Sequence, residues 1–231
     1  MSDQQPDTQP DRPDEVEMRR LFFESPAWDE RYAATDRIWS GRVNPVLAAE
    51  AATLTPGRAL DVGSGEGGDA LWLAGRGWKV VGLEFSRVAR ERAALHAEEA
   101  GLADRTSWRD ADVRTWDPGD EGWDLVTSHF FHQPDQLLPD VVRRLAAAVA
   151  PGGTLLVVGH HPADLATGAR HGDPTWLFTA EELVPSLDPE AFEVEAVEAR
   201  TRTGPHPEGG TVEWTDAVLR ARRRSAAPMS S

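Results

Sequence analysis

Two groups of residues in this chain have the types and spacing for chemistry. The first is a glycine-rich turn, `DVGSGEGG` over residues 61–68, followed about 20 positions on by Glu84. Glycines at such a turn let a ligand approach the backbone closely. A carboxylate at the end of the next strand can accept both hydroxyl hydrogens of a ribose diol. The second group is histidine: His129 and His132 in `SHFFHQPD`, His160 and His161 in `VVGHHPAD`, and His171 in the loop beyond, five of the seven in the chain. Imidazole titrates near neutral pH, so His132, His161, His129 and His160 are candidate bases or positioning groups. The two pairs would also suit Zn, Fe or Ni, but only if both loops converged on one point, and no metal is expected.

The turn admits two ligands. Gly63, Gly65 and Gly68 satisfy the spacing of a dinucleotide fingerprint, which would make the chain an NAD(P)-dependent oxidoreductase. A pyrophosphate wants bare backbone N–H groups at a helix start. Asp61 and Glu66 would put negative charge beside it. A ligand carrying an ammonium and a sulfonium would tolerate both. A non-catalytic ligand-binding domain of the same fold is a further alternative.

These residues need a scaffold, and the pattern of apolar runs supplies one. Strand-like segments `GRALDV`, `WKVVGLEF`, `TSWRDADV`, `GWDLVTSHF` and `GGTLLVVGH` alternate with helix-like segments at 68–75, 86–100 and 137–150. Such alternation produces a mainly parallel sheet covered by helices on both faces, an α/β domain. Further on, `AFEVEAVEA` and `TVEWTDAVLRARR` flank a glycine-rich loop and read as an antiparallel pair at a sheet edge, making seven strands. Both histidine pairs then follow strand ends, where open α/β sheets bind ligands.

Bulk properties exclude several classes. With 231 residues the chain suits one domain with appended pieces. A net charge of −15 disfavours nucleic acids and anionic membranes as partners. The absence of cysteine removes disulfides and thiolate chemistry. No apolar run is long enough to span a bilayer, and the first residues lack the order of a signal peptide, so a cytoplasmic monomer or homodimer is expected. Residues 1–20 read as a disordered acidic tail, 21–50 as a helical cap, 51–224 as the main domain and 225–231 as a second tail.

The stretch `LDVGSGEGGDALWLAGRGWKVVGLEFS` resembles the cofactor segment of class I S-adenosylmethionine-dependent methyltransferases. That resemblance implies a Rossmann-like sheet in the order 3-2-1-4-5-7-6 and S-adenosylmethionine as cofactor. It assigns Asp61, Gly63, Gly65, Gly67, Glu84 and Phe85 to the cofactor. In `RDADV`, Asp112 would hold the adenine amino group beside Ala111 and Val113, with Asp110 a second candidate because the register is ambiguous. Ser128 joins them from `WDLVTSHFFH`. Upstream, `SPAWDERYAATDRIWSGRVNPVL` resembles the segment that folds over the cofactor in tellurite-resistance, thiopurine and heterocycle methyltransferases. It adds Tyr32 and Trp39, and Arg42 as a possible carboxylate partner. The acceptor site would then be built from Trp28, Phe130, Phe131 and Trp176, with `HGDPTWLFTAEE` as a lid. An apolar aromatic wall favours a flat small molecule. The expected reaction is in-line methyl transfer to an O, N or S atom of a small aromatic or heteroaromatic acceptor, with or without a histidine base.

Overall fold

A computed structural model describes residues 23–132, 137–170, 173–206 and 209–225. The acidic tail at 1–20, most of the C-terminal tail and His171 lie outside these residues. The chain enters through α1 (Ser25–Ala33) and α2 (Pro45–Ala51), then runs β1 (Arg58–Val62), α3 (Gly68–Ala74), β2 (Lys79–Glu84), α4 (Arg87–Glu99) and β3 (Thr106–Asp110). After β4 (Trp123–His129) come α5 (Leu138–Ala148), β5 (Val149–His160), α6 (Ala163–Ala166) and α7 (Ala180–Leu183). Two long strands close the domain, β6 (Phe192–Pro205) and β7 (Thr211–Arg223).

The sheet order is β3-β2-β1-β4-β5-β7-β6. The first five strands run parallel, and β7 pairs antiparallel with both β5 and β6. The expected topology is therefore present strand for strand.

Both faces of the sheet are covered, as the doubly apolar strands require. On β1, Leu60 and Val62 face one side and Ala59 the other; on β5, Leu155 and Val157 oppose Leu156 and Val158. One core gathers Val141, Val142 and Leu145 of α5 with Leu183 of α7. The other gathers Val46 and Leu47 of α2 with Ala70 and Leu73 of α3. Helix α4 buries only Ala89, Ala93 and Ala97, one every turn, so its axis can approach the sheet closely. Trp78 and Trp123 are fully buried in the core. Trp72 is only partly buried and lies under the Arg76 guanidinium, 3.6 Å from its ring centre.

Segment 34–44, between α1 and α2, is held to the domain by polar contacts rather than by a buried apolar stripe. Glu66 accepts hydrogen bonds from the backbone N–H groups of Ile38 and Trp39, both at 3.1 Å, and from Arg92 at 3.0 Å. Arg92 also donates to the Thr35 carbonyl. Asp29 of α1 accepts from the Ser86 hydroxyl at 2.6 Å and from the Val88 N–H at 3.1 Å, tying α1 to the first turn of α4.

Candidate functional site

A cavity of about 920 Å³ opens at the carboxyl ends of β1, β2 and β4. Such a volume suits a cofactor together with a small second ligand. The turn after β1 forms its floor. Gly63 and Gly65 have φ of 72° and 51°, in the left-handed region that glycine enters without cost. A side chain at Gly65 would come within 3.0 Å of the Tyr32 hydroxyl, and one at Gly63 within 3.1 Å of the Phe131 ring. Both glycines line the cavity, and the side chains that face them across it leave no room for a Cβ.

Gly67 departs from expectation. It has φ of 86°, but a Cβ there would meet Trp108 at 2.7 Å and Ala93 at 3.1 Å. It faces the β3–α4 packing and does not line the cavity, so its role is structural. Ser128 is corrected in the same way: its hydroxyl is buried and donates to the Val62 carbonyl at 3.0 Å, stitching β4 to β1. Glu66, read from the sequence as a charge near the ligand, has that charge matched by Arg92, with which it forms an ion pair only 4% and 20% exposed. Its effect on a nearby pyrophosphate would be much weaker than a bare carboxylate's.

Besides Asp69, three carboxylates remain at this end. Asp61 is buried, and its Oδ2 has no hydrogen-bond partner among the described residues. Burial, then the charges of Asp69 and Glu84, push its carboxyl well above the usual range. Such an atom suits a cationic ligand group that would restore its ionised form. Glu84 accepts from the Gly65 N–H at 3.0 Å and the Ser86 N–H at 2.9 Å, which fixes its carboxylate at the end of β2; burial raises its pKa despite those bonds. Asp112 lines the cavity with Ala111 and Val113. Burial pushes its carboxyl up, but hydrogen bonds from the Arg114 side chain and backbone outweigh that and hold it below its ordinary value. Asp110 points elsewhere: its side chain is 71% exposed and pairs with Arg90 at 2.8 Å. The structure thus separates the two aspartates that the sequence register left open.

The wall opposite the turn comes from segment 34–44 and α1. Trp28, Tyr32, Trp39 and Arg42 all line the cavity, as does Phe85. The Trp39 indole N–H donates to the Tyr32 hydroxyl at 3.0 Å, and the Trp28 ring lies 5.7 Å from Tyr32 and 6.5 Å from Trp39. Burial, and then the Glu84 charge, raise the Tyr32 pKa, so its hydroxyl keeps its hydrogen.

The four histidines do not form one cluster. His129 sits at the cofactor end, where Nδ1 meets Asp69 Oδ2 at 2.8 Å and Nε2 meets the Thr127 hydroxyl at 3.0 Å. Both nitrogens are thus engaged. Among the described residues, Asp61, Asp69 and His129 are the one group with metal-ligand spacing, their ligand atoms lying within 4.8 Å of each other. His132 and His160 line the other end of the cavity, stacked 4.7 Å apart with planes 12° from parallel. His161 does not line the cavity: its Nδ1 accepts from the Ala163 N–H at 3.1 Å and caps α6. Its place among the candidate bases is withdrawn.

Phe130, Phe131 and Trp176 complete this second end, with Phe23, Arg170 and Arg202 beside them. Phe130 has φ of 53°, a strained value for a bulky residue. That backbone turn stacks its ring 4.4 Å from His160. Arg170 and Arg202 face the cavity while their counter-charges stand behind them. Asp164 and Asp216 are each 1% exposed and are not part of the cavity wall. Asp69, Asp164 and the two arginines escaped the sequence reading, because nothing local marks which distant strand a charge will meet.

Residues 59–153 match the methyltransferase domain family. A probable thiol methyltransferase 2 from Arabidopsis thaliana is 31% identical over 195 residues, covering 80% of this chain and 83% of that protein. Thiocyanate methyltransferase 1 from the same plant is 26% identical over 187 residues, covering 79% and 78%. Among solved structures, one described as converting a disulfide bond into a thioacetal group during echinomycin biosynthesis superposes with a TM-score of 0.71 at 23% identity, covering 88% of this chain and 93% of that one. The dinucleotide reading of the glycine turn therefore gives way. With its strand order, its glycine cradle and these relatives, the chain belongs to the class I S-adenosylmethionine-dependent methyltransferases.

Proposed function

We propose that this enzyme methylates the sulfur of a small, flat thiol that enters as its anion. S-adenosylmethionine supplies an electrophilic methyl group on a sulfonium when bound. Asp61 would take its ammonium group, Glu84 its ribose diol and Asp112 its adenine amino group, with Tyr32, Trp39 and Arg42 closing over the methionine part. Gly63 and Gly65 leave room for it against the backbone.

The observation that carries the choice of acceptor is the chemistry of the far wall. His132 is pushed down to about 4, chiefly by burial, and His160 further still by burial and its cationic neighbours. An imidazole that holds a proton so weakly is a poor base for a phenol of pKa about 10. Arg170 and Arg202, although their charges are partly offset by Asp164 and Asp216 behind them, line this wall and can donate to an acceptor that arrives already ionised. Aromatic thiols meet that requirement near neutral pH, and the two plant relatives are named for thiol and thiocyanate. The protein's work is then to hold donor and acceptor collinear and to exclude water.

Turnover against matched thiols and phenols of the same ring, followed by mass spectrometry from pH 6 to 9, tests the reading. Thiols should be methylated at a rate that is flat once they are ionised. Methylation of the phenols alone would refute it.

A further inference from the structure

The acceptor wall contains a chain of three side chains that fixes a proton. Asp164, at the start of α6, is 1% exposed and accepts the Thr215 N–H at 2.8 Å. Its second oxygen lies 3.7 Å from Nε of Arg170. Arg170 in turn places Nη2 2.9 Å from Nδ1 of His160. A guanidinium can only donate. His160 Nδ1 must therefore be the accepting nitrogen, and the ring hydrogen must sit on Nε2. Among the described residues the ring takes no other hydrogen bond.

His132 has the opposite arrangement. Its Nδ1 lies 2.7 Å from the carbonyl of Trp176. A carbonyl only accepts, so His132 carries its hydrogen on Nδ1 and the lone pair on Nε2. The two rings are stacked face to face, and His160 is covered on its other face by Phe130. Neither ring can turn over without breaking a stack and a hydrogen bond together.

We infer that Asp164 and Arg170 are positioning residues that lock His160 as the neutral Nε2–H tautomer, opposite to its stacked neighbour His132, so that the acceptor wall offers one fixed donor edge. The inference rests on the acceptor site proposed above only for the consequence that His160 donates to the acceptor. The tautomer itself follows from the hydrogen bonds. Protonating His160 would set a cation against Arg170 and Arg202, which reinforces the neutral form.

The test is ring-nitrogen NMR on the full chain labelled with ¹⁵N-histidine, with His132→Gln and His160→Gln used to assign the two rings. At pH 7.5, His160 should show the Nε2–H pattern and His132 the Nδ1–H pattern. Arg170→Leu should shift the His160 ring toward mixed tautomers and lower acceptor kcat/KM by about 10–100-fold, with S-adenosylhomocysteine affinity unchanged. An Nδ1–H or doubly protonated His160 in the parent protein would overturn the inference, as would an unaltered tautomer in Arg170→Leu. If Arg170→Leu does not fold, the parent spectrum alone decides. Failure of the thiol panel would leave the spectrum unchanged, so the two claims fall separately.

Discussion

Replacing Glu66 by Gln tests how segment 34–44 is held over the cofactor. One oxygen of Glu66 accepts the N–H groups of Ile38 and Trp39, and the other accepts from Arg92. Gln has a single acceptor oxygen. If that oxygen stays with the two backbone amides, its NH₂ group confronts Arg92 and the charged hydrogen bond is lost. A hydrogen bond to a charged partner is worth about 1.5–3 kcal/mol, and a one-fifth exposed Arg92 regains some water, leaving a loss of about 1–2 kcal/mol. The segment supplies Trp39 through Asn44 to the cavity wall. Titration calorimetry with S-adenosylhomocysteine should therefore show affinity weakened about 5–30-fold. Hydrogen exchange at Ile38 and Trp39 should quicken by a similar factor. Unchanged exchange at these two amides would refute the reasoning, because it would mean the segment is held by something other than Glu66.

Three further outcomes follow from the site. Gly67→Ala should cost about 2–4 kcal/mol of stability in urea melts, from a left-handed backbone and a clash with Trp108, yet leave cofactor affinity within threefold where the protein is folded; a large affinity loss would return Gly67 to the cofactor. Asp61 has a raised folded pKa, so its contribution is lost as pH rises and its charge is destabilising at pH 7.5 in the free protein. Asp61→Asn should then raise the melting temperature while weakening S-adenosylhomocysteine binding, and a fall in both would contradict that. His132 has the reverse sign: its folded value of about 4 lies below the unfolded 6.5, so its contribution is full above pH 6.5 and drains as pH falls toward 4. That share is on the order of 3 kcal/mol, and His132→Asn should flatten the acid loss in denaturant melts over this window.

What the sequence disclosed was set by how locally each feature is determined. The turn after β1 is written in adjacent residues, so Asp61, Gly63, Gly65 and the strand order were legible. Neighbouring positions diverged where a distant side chain decides. Gly67 is a glycine because Trp108 of β3 fills the space, and no spacing rule reveals that. His160 and His161 are adjacent in sequence, yet His160 ends β5 facing the cavity while His161 lies beyond the strand and accepts the first N–H of α6. Asp110 and Asp112 were separated only by which arginine each one met. Arg202 was invisible as a site residue because it reaches the cavity from the outermost strand through an ion pair with Asp216, fourteen positions away.

Buried carboxylates lie at the cofactor end of the cavity, and the guanidinium groups of Arg170 and Arg202 at the other end. A reaction that joins a cation to an anion leaves two neutral molecules. If the acceptor is the anion proposed above, the side chains that hold both reactants then have no charge left to grip at either reacting atom. On this arrangement the same side chains that favour capture also favour discharge of the products, and no separate device is needed to expel them. Acceptors that begin neutral would forgo both effects, so the polarity of the wall acts as a filter on turnover as well as on entry.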